Sequence, residues 1–280
     1  MVAARKGLEM VQISYCGQGV RTGDPDRFLL SLFAPPDARE ALWALFAFHL
    51  EIAKTRDVVT DTRLGLIRLQ WWRDAVDRIY ASGGPVAGGT DHPVLTPLCL
   101  AIGQYGLSQA DFTAMLYARE FDLEDVLPAQ TAGFLTYIDA TQTPLLRLAF
   151  RICGGDPDEG PDGAVVPALA RLYGIAGMLR AVPFMARRGR CLLPAEVLQA
   201  CGQDLDALYA GKPAPRLPEA IAQVAGLAPK RPQCDNRFLR AVGKMADIGL
   251  AQIRRVGYDV FHPRLRGPVP FQALRVWWDV

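Results

Sequence analysis

Residues 37–56 read DAREALWALFAFHLEIAKTR. Leu42, Leu45, Phe46, Leu50 and Ala53, with His49 as an aromatic member, recur at spacings of three and four. That is the period of a helix with one apolar face. Pro35-Pro36 stops whatever precedes it, and Asp37 is placed to cap the new helix. Working outward, RLGLIRLQWWRDAVDRIY at 63–80 repeats the pattern. Ile67/Trp71, Trp72/Val76 and Val76/Tyr80 are i,i+4 pairs, and Arg73, Asp74, Asp77 and Arg78 lie between the apolar positions. SGGPVAGGTDHP at 82–93 reads as a Gly/Pro loop. Further helices are expected near 95–105, 108–127, 131–153, 163–188, 195–209, 216–226 and 235–256. They are separated by stretches such as GGDPDEGPDG at 154–163 and AGKPAPRLP at 210–218. No alternating strand pattern and no internal repeat is present. The expectation is one all-α domain over residues 1–280, of about eight to ten helices, with residues 1–20 as a loose N-terminal extension.

A chain of 280 residues and 30.6 kDa buries about three quarters of its unfolded surface, so its core needs no staple. With 50% hydrophobic and 21% charged residues it is not a wholly disordered chain. Thirty-one Lys+Arg against 29 Asp+Glu leaves a net charge of +2, no global case for nucleic acid. Only five of the 31 basic residues are lysine. Heavy arginine use fits phosphate or carboxylate binding, and equally a GC-rich genome. Cys16, Cys99, Cys153, Cys191, Cys201 and Cys234 form no CxxC pair. They read as reduced thiols, mostly in the core, in a cytosol-like compartment. His49, His92 and His262 are too far apart in sequence to favour a His/Cys zinc site. No run reaches 18 apolar residues, and the basic N-terminus is too short for a transit peptide. The expected location is cytoplasmic, peripheral to the inner face of a bacterial membrane.

Asp57 and Asp61 stand four apart at the end of the first helix. On one helical face, two carboxylates could hold Mg²⁺ and through it a diphosphate. The alternative is a solvated helix end paired to Arg56 and Arg63. A second charged stretch, LRAVPFMARRGRCLLP at 179–194, crowds Arg180, Arg187, Arg188 and Arg190 together. It reads either as a clamp for a polyanion or as a solvated basic patch. In the tail GYDVFHPRL at 257–265, His262 reads as a packing or capping residue, since no nucleophile motif accompanies it.

Four segments in order carry a resemblance: 27–57, 65–80, AREFDLED at 118–125, and GIAGMLRAVPFMARRGRCLLP at 174–194. Together they resemble the squalene/phytoene synthase superfamily over nearly the whole chain. The resemblance implies the all-α isoprenoid synthase fold with a central apolar pocket, between helices at 41–57, 65–80, 108–127, 131–153 and 163–186. It also implies two Asp-rich motifs holding Mg²⁺ ions that bind and release diphosphate. The motifs are degenerate here. Ala53, Lys54, Thr55 and Arg56 leave only Asp57 of the first, and Lys54 and Arg56 repel a dication. Aligned on Gly189 to Pro194, the second motif's carboxylates fall at Ala181 and Met185, with Pro183 between them as a helix-kinking residue. Arg180 and Arg190 remain.

This pattern is similar to the complex I assembly factor branch of the superfamily. The likeness rests on Glu51-Ile52-Ala53, Arg68 to Trp72, Leu179 to Pro183 and Asp259 to Pro263. The branch implies a non-catalytic protein assisting assembly of NADH–quinone oxidoreductase, with no cofactor. Its partner would be a membrane surface or membrane-protein subunit, with an isoprenoid lipid in the pocket and no nucleic acid. The alternative is a head-to-head prenyl diphosphate synthase with a relocated Mg²⁺ site of Asp57, Asp61, Asp122 and Asp125. Under either reading the pocket or diphosphate-binding candidates are Arg39, Glu51, Asp57, Asp61, Gln70, Arg73, Arg119, Asp122, Asp125, Arg180 and Arg190.

Overall fold

A computed structural model describes residues 13–59, 61–82, 92–124, 126–267 and 269–280. Among them the regular structure is helical throughout, with no strand. The helices are α1 (Tyr15–Gly23), α2 (Pro25–Ser31), α3 (Arg39–Ala53), α4 (Thr55–Val58), α5 (Thr62–Ser82), α6 (Leu95–Tyr105) and α7 (Gln109–Ala118). They continue with α8 (Thr131–Ile152), α9 (Gly160–Ala186), α10 (Ala195–Ala200), α11 (Leu205–Tyr209), α12 (Leu217–Ala225), α13 (Arg237–Arg255) and α14 (Gln272–Trp277).

The deciding helix is α3, and it is buried on all sides. Trp43, Ala44, Ala47 and Phe48 are buried along with Leu42, Leu45 and Phe46. A helix apolar all round belongs at the centre of a bundle. Here α1, α2, α6 and α8 pack around it. A 3₁₀ turn at Pro36–Ala38 leads into α3, and no side chain caps either element, so Asp37 is not the cap its position predicts. In a second layer, α8 packs on α7 and α9, and α9 on α13.

Three stretches differ from the sequence reading. Residues 15–23, expected in part as a loose extension, form α1, with Cys16 and Val20 in the core; residues 1–12 lie outside the described chain. Ser14 caps α1 and Asp24 caps α2, each side chain accepting from a backbone N–H of the first turn. The helix expected at 108–127 ends at Ala118, followed by a 3₁₀ turn at Phe121–Leu123. The helix expected at 195–209 divides at Gly202, whose φ of 72° requires the left-handed region. Most of the loop expected at 82–93 lies outside the described residues.

Helix α9 runs through Pro167 and Pro183 without ending. At 27 residues and with a mean hydropathy of 1.4 over its most apolar window, it has the length and composition of a membrane span, although polar residues interrupt its apolar runs. Its packing against α8, α12 and α13 accounts for that apolarity as core. All six cysteines are free, and five are buried. Burial pushes the Cys191 thiol up to about 11, so it stays protonated at neutral pH.

Candidate functional site

A cavity of about 480 Å³ opens between the α1–α2 corner, α3, the α7–α8 connection, α8 and α9. Helix α5, expected to form one wall, contributes none of its lining residues; the α1–α2 corner contributes Asp24, Asp26 and Arg27. The cavity is apolar at Ile138, Met178, Ala181, Phe184, Met185 and Leu192. The rest of its lining carries five arginines and four aspartates, so the expected apolar pocket is charged over much of its wall.

One end is built where helix α7 stops. The break after Ala118 turns Arg119 and Asp122 inward, where they are 8% and 5% exposed. Arg119 Nη1 donates to Asp122 Oδ2 at 3.0 Å and to Tyr137 Oη at 3.1 Å. Tyr137 Oη donates to Asp122 Oδ1 at 2.7 Å. Arg119 Nη2 lies 3.0 Å from His49 Nε2. Guanidinium only donates, so Nε2 accepts and the His49 proton sits on Nδ1, which is buried without a partner. Burial first, then Arg27 and Arg119, hold His49 well below its usual pKa, so it is neutral. Burial opposes the charge on Arg119, but Tyr137 and Asp122 outweigh it and raise its pKa.

The chain returns to this end after α9. Gly189 has φ of 67°, and Arg190 N donates to Met185 O at 3.0 Å, a left-handed reversal that ends the helix. The reversal brings Arg188 and Arg190 to the cavity. Arg188 Nη1 pairs with Asp57 Oδ2 at 2.7 Å and stacks on Phe184, 3.9 Å from the ring centre. Arg190 lies 3.7 Å from Asp57 Oδ1 and 3.6 Å from Asp122 Oδ1, and donates to Asp122 O at 3.4 Å. At the other end Arg27 pairs with Asp24 and donates to Gln142 Oε1 at 2.8 Å. Arg180 pairs with Asp26 Oδ2 at 2.5 Å, and Gln272 of α14 donates to Asp26 Oδ1 at 3.0 Å.

Of the candidates read from sequence, Asp57, Arg119, Asp122, Arg180 and Arg190 line this cavity. The others do not. Asp61 is exposed at the start of α5, where Oδ1 accepts from Arg63 N. It shares no helical face with Asp57, because Val59 between them is extended. Glu51 pairs with Lys54 and, at 2.7 Å, with Arg68. Arg39 donates to Leu32 O, Gln70 to Asp74, and Arg73 pairs with Glu120. Asp125 lies outside the described residues. The sequence reading did not single out Asp24, Asp26, Arg27, Tyr137 or Tyr173, nor give His49 a role beyond packing. Only the short Ser14 and Asp24 caps hinted that the α1–α2 corner was ordered. Away from the cavity, His262 does cap a turn, its Nδ1 accepting from Arg264 N at 3.2 Å.

These residues do not fit Mg²⁺. Hard dications need several free oxygen ligands, and no three His, Cys, Asp or Glu gather as a metal site among the described residues. Ala53, Ala181 and Met185 line the cavity where the resemblance expects carboxylates. Every aspartate on its wall is engaged by arginine.

Comparison with known proteins agrees with the architecture. The sequence profile of squalene/phytoene synthase matches residues 20–270. The chain belongs to the squalene/phytoene synthase family. Within the family it is similar to complex I assembly factor 6 of NADH dehydrogenase (ubiquinone) from Bos taurus, 28% identical over 95% of this chain and 81% of that one. The Homo sapiens counterpart is 27% identical over 90% and 77%. A presqualene diphosphate synthase from Sinorhizobium fredii is 27% identical over 68% and 67%. In fold, the crystal structure of a squalene synthase from Alicyclobacillus acidocaldarius superposes with a TM-score of 0.68 at 20% identity, over 87% of this chain and 93% of that one. The family's isoprenoid synthase fold is therefore present, with a cavity whose charges are arranged as arginine–aspartate pairs.

Proposed function

We propose that this squalene/phytoene synthase family member is not a synthase, and that it assists assembly of the respiratory NADH–quinone oxidoreductase at the inner face of the membrane. One observation carries the non-catalytic part: the carboxylates of the cavity are engaged by arginines instead of standing free for metal ions. Ionising a diphosphate needs several kcal/mol of charge stabilisation focused on the leaving group. Arginines already neutralised by aspartate supply little of it. The assembly part is supported by the relatives named complex I assembly factor 6, which match over most of both chains. A membrane surface or membrane subunit as partner is supported by α14, where Phe271, Leu274, Trp277 and Trp278 stand exposed.

Deletion of the gene tests the proposal. The expected result is a loss of NADH–quinone oxidoreductase from the membranes with terpenoid lipids unchanged. Normal oxidoreductase with loss of a terpenoid overturns it and favours a synthase, as does Mg²⁺-dependent turnover of farnesyl diphosphate by the purified protein.

A further inference from the structure

We propose that the cavity holds an amphiphile with a single negative charge, a carboxylate or a phosphodiester, and holds it without a divalent cation. The inference rests on the non-catalytic reading of the same cavity. Its lining has five arginines and four aspartates, with His49 neutral, which leaves one positive charge in excess. The pairing locates that excess. At the α1–α2 corner Arg27 and Arg180 are matched by Asp24 and Asp26. At the other end Arg119, Arg188 and Arg190 share Asp57 and Asp122.

Arg119 takes Asp122 at 3.0 Å, and Arg188 takes Asp57 at 2.7 Å. Arg190 is left with contacts of 3.4 to 3.7 Å, although its side chain is only 18% exposed. A guanidinium has five donors in a planar fork suited to a carboxylate or phosphate. Among the described residues, every acceptor of this largely buried cation lies at 3.4 Å or beyond, so Arg190 is the most weakly matched of the three.

Beside it lie Phe184, Met185 and Leu192, which offer apolar contact to a chain. A volume of about 480 Å³ falls within the range of about 300–1,000 Å³ usual for small-molecule sites. One charge in excess matches a monoanion. A free diphosphate would add about three negative charges, and among the described residues no group of three carboxylate, His or Cys ligands gathers to hold a metal ion that would offset them.

Titration calorimetry of the full chain, once in EDTA and once in MgCl₂ without EDTA, tests this with decanoate, a ten-carbon lysophosphatidylglycerol, decanol and farnesyl diphosphate. At least one of the two monoanions should bind, and which one identifies the headgroup as carboxylate or phosphodiester. Decanol should bind at least about tenfold more weakly, and Mg²⁺ should change nothing. Arg190→Gln should weaken the monoanion about tenfold and leave decanol unchanged. Asp57→Asn should tighten the monoanion, because it frees Arg188 and Arg190 together, and a gain cannot come from misfolding. Equal binding of decanol, no gain in Asp57→Asn, or farnesyl diphosphate bound only with Mg²⁺ would overturn the proposal. The titration and the gene deletion report separately, so the ligand can be wrong while the assembly role stands, and the reverse.

Discussion

Arg119 and Asp122 are held by each other, by Tyr137 and by His49 in a setting that excludes most water. Removing one partner of a buried pair strands the other charge, at a cost of about 3–5 kcal/mol. Asp122→Ala should therefore lower the unfolding free energy by about that amount, read from the urea midpoint at constant slope. A loss below about 1 kcal/mol would mean that the pair is hydrated in solution. His49 gives a pH signature. Its folded pKa is depressed, so below about pH 6.5 the unfolded chain takes up a proton that the folded chain refuses. Its effect is absent above that pH, and stability falls as the solution is acidified below it. His49→Gln should flatten the decline in melting temperature between about pH 7 and 5. His92, also lowered by burial, leaves a residual slope in the variant. An unchanged slope would place the acid sensitivity elsewhere.

Helix α9 is both the longest helix and one wall of the cavity, and two of its glycines show the difference. A Cβ on Gly174 would stand 2.6 Å from Ile138 Cγ2 and 2.8 Å from Gln142 Cγ, because α8 crosses there. A Cβ on Gly177, one turn on, would meet nothing within 4 Å. Gly174→Val should cost about 1–3 kcal/mol by overpacking. Gly177→Ala should instead stabilise by up to about 1 kcal/mol through helix propensity. Melting curves of the two variants check this, and the same sign for both would mean that α8 and α9 are spaced differently in solution. Helix α14 is also two-sided. Val276 is buried and Asp279 pairs with Arg231 and Lys244, so one face is core while the tryptophans face outward.

At the scale of the whole molecule, the aspartates of the cavity pair with arginines from distant parts of the chain. A ligand present at a hundred times its dissociation constant stabilises a protein by about 2.7 kcal/mol. Millimolar MgCl₂ against EDTA should therefore leave the melting temperature unchanged, since among the described residues no group of carboxylates is assembled to receive the ion. A rise of several degrees in MgCl₂ alone would restore the metal-dependent synthase as the reading.

The helical class was legible from local patterning, because the period of apolar residues reports burial directly, and 37–56 and 63–80 carry it plainly. The missing carboxylates at Ala53, Ala181 and Met185 were legible only through the family resemblance, which says where the motif carboxylates belong. The partners were not. Asp57 meets Arg188 across 131 positions and Arg180 meets Asp26 across 154, separations that no spacing rule reaches. The α1–α2 corner escaped notice because its signals are two short caps, and the inward turn of Arg119 because nothing in the residue order marks where α7 must stop. Sequence determined which chemical groups the chain carries and that it folds as helices. Tertiary structure alone decided which charges neutralise one another and which arginine is left over, because that balance depends on distances and burial set by helices far apart in the chain.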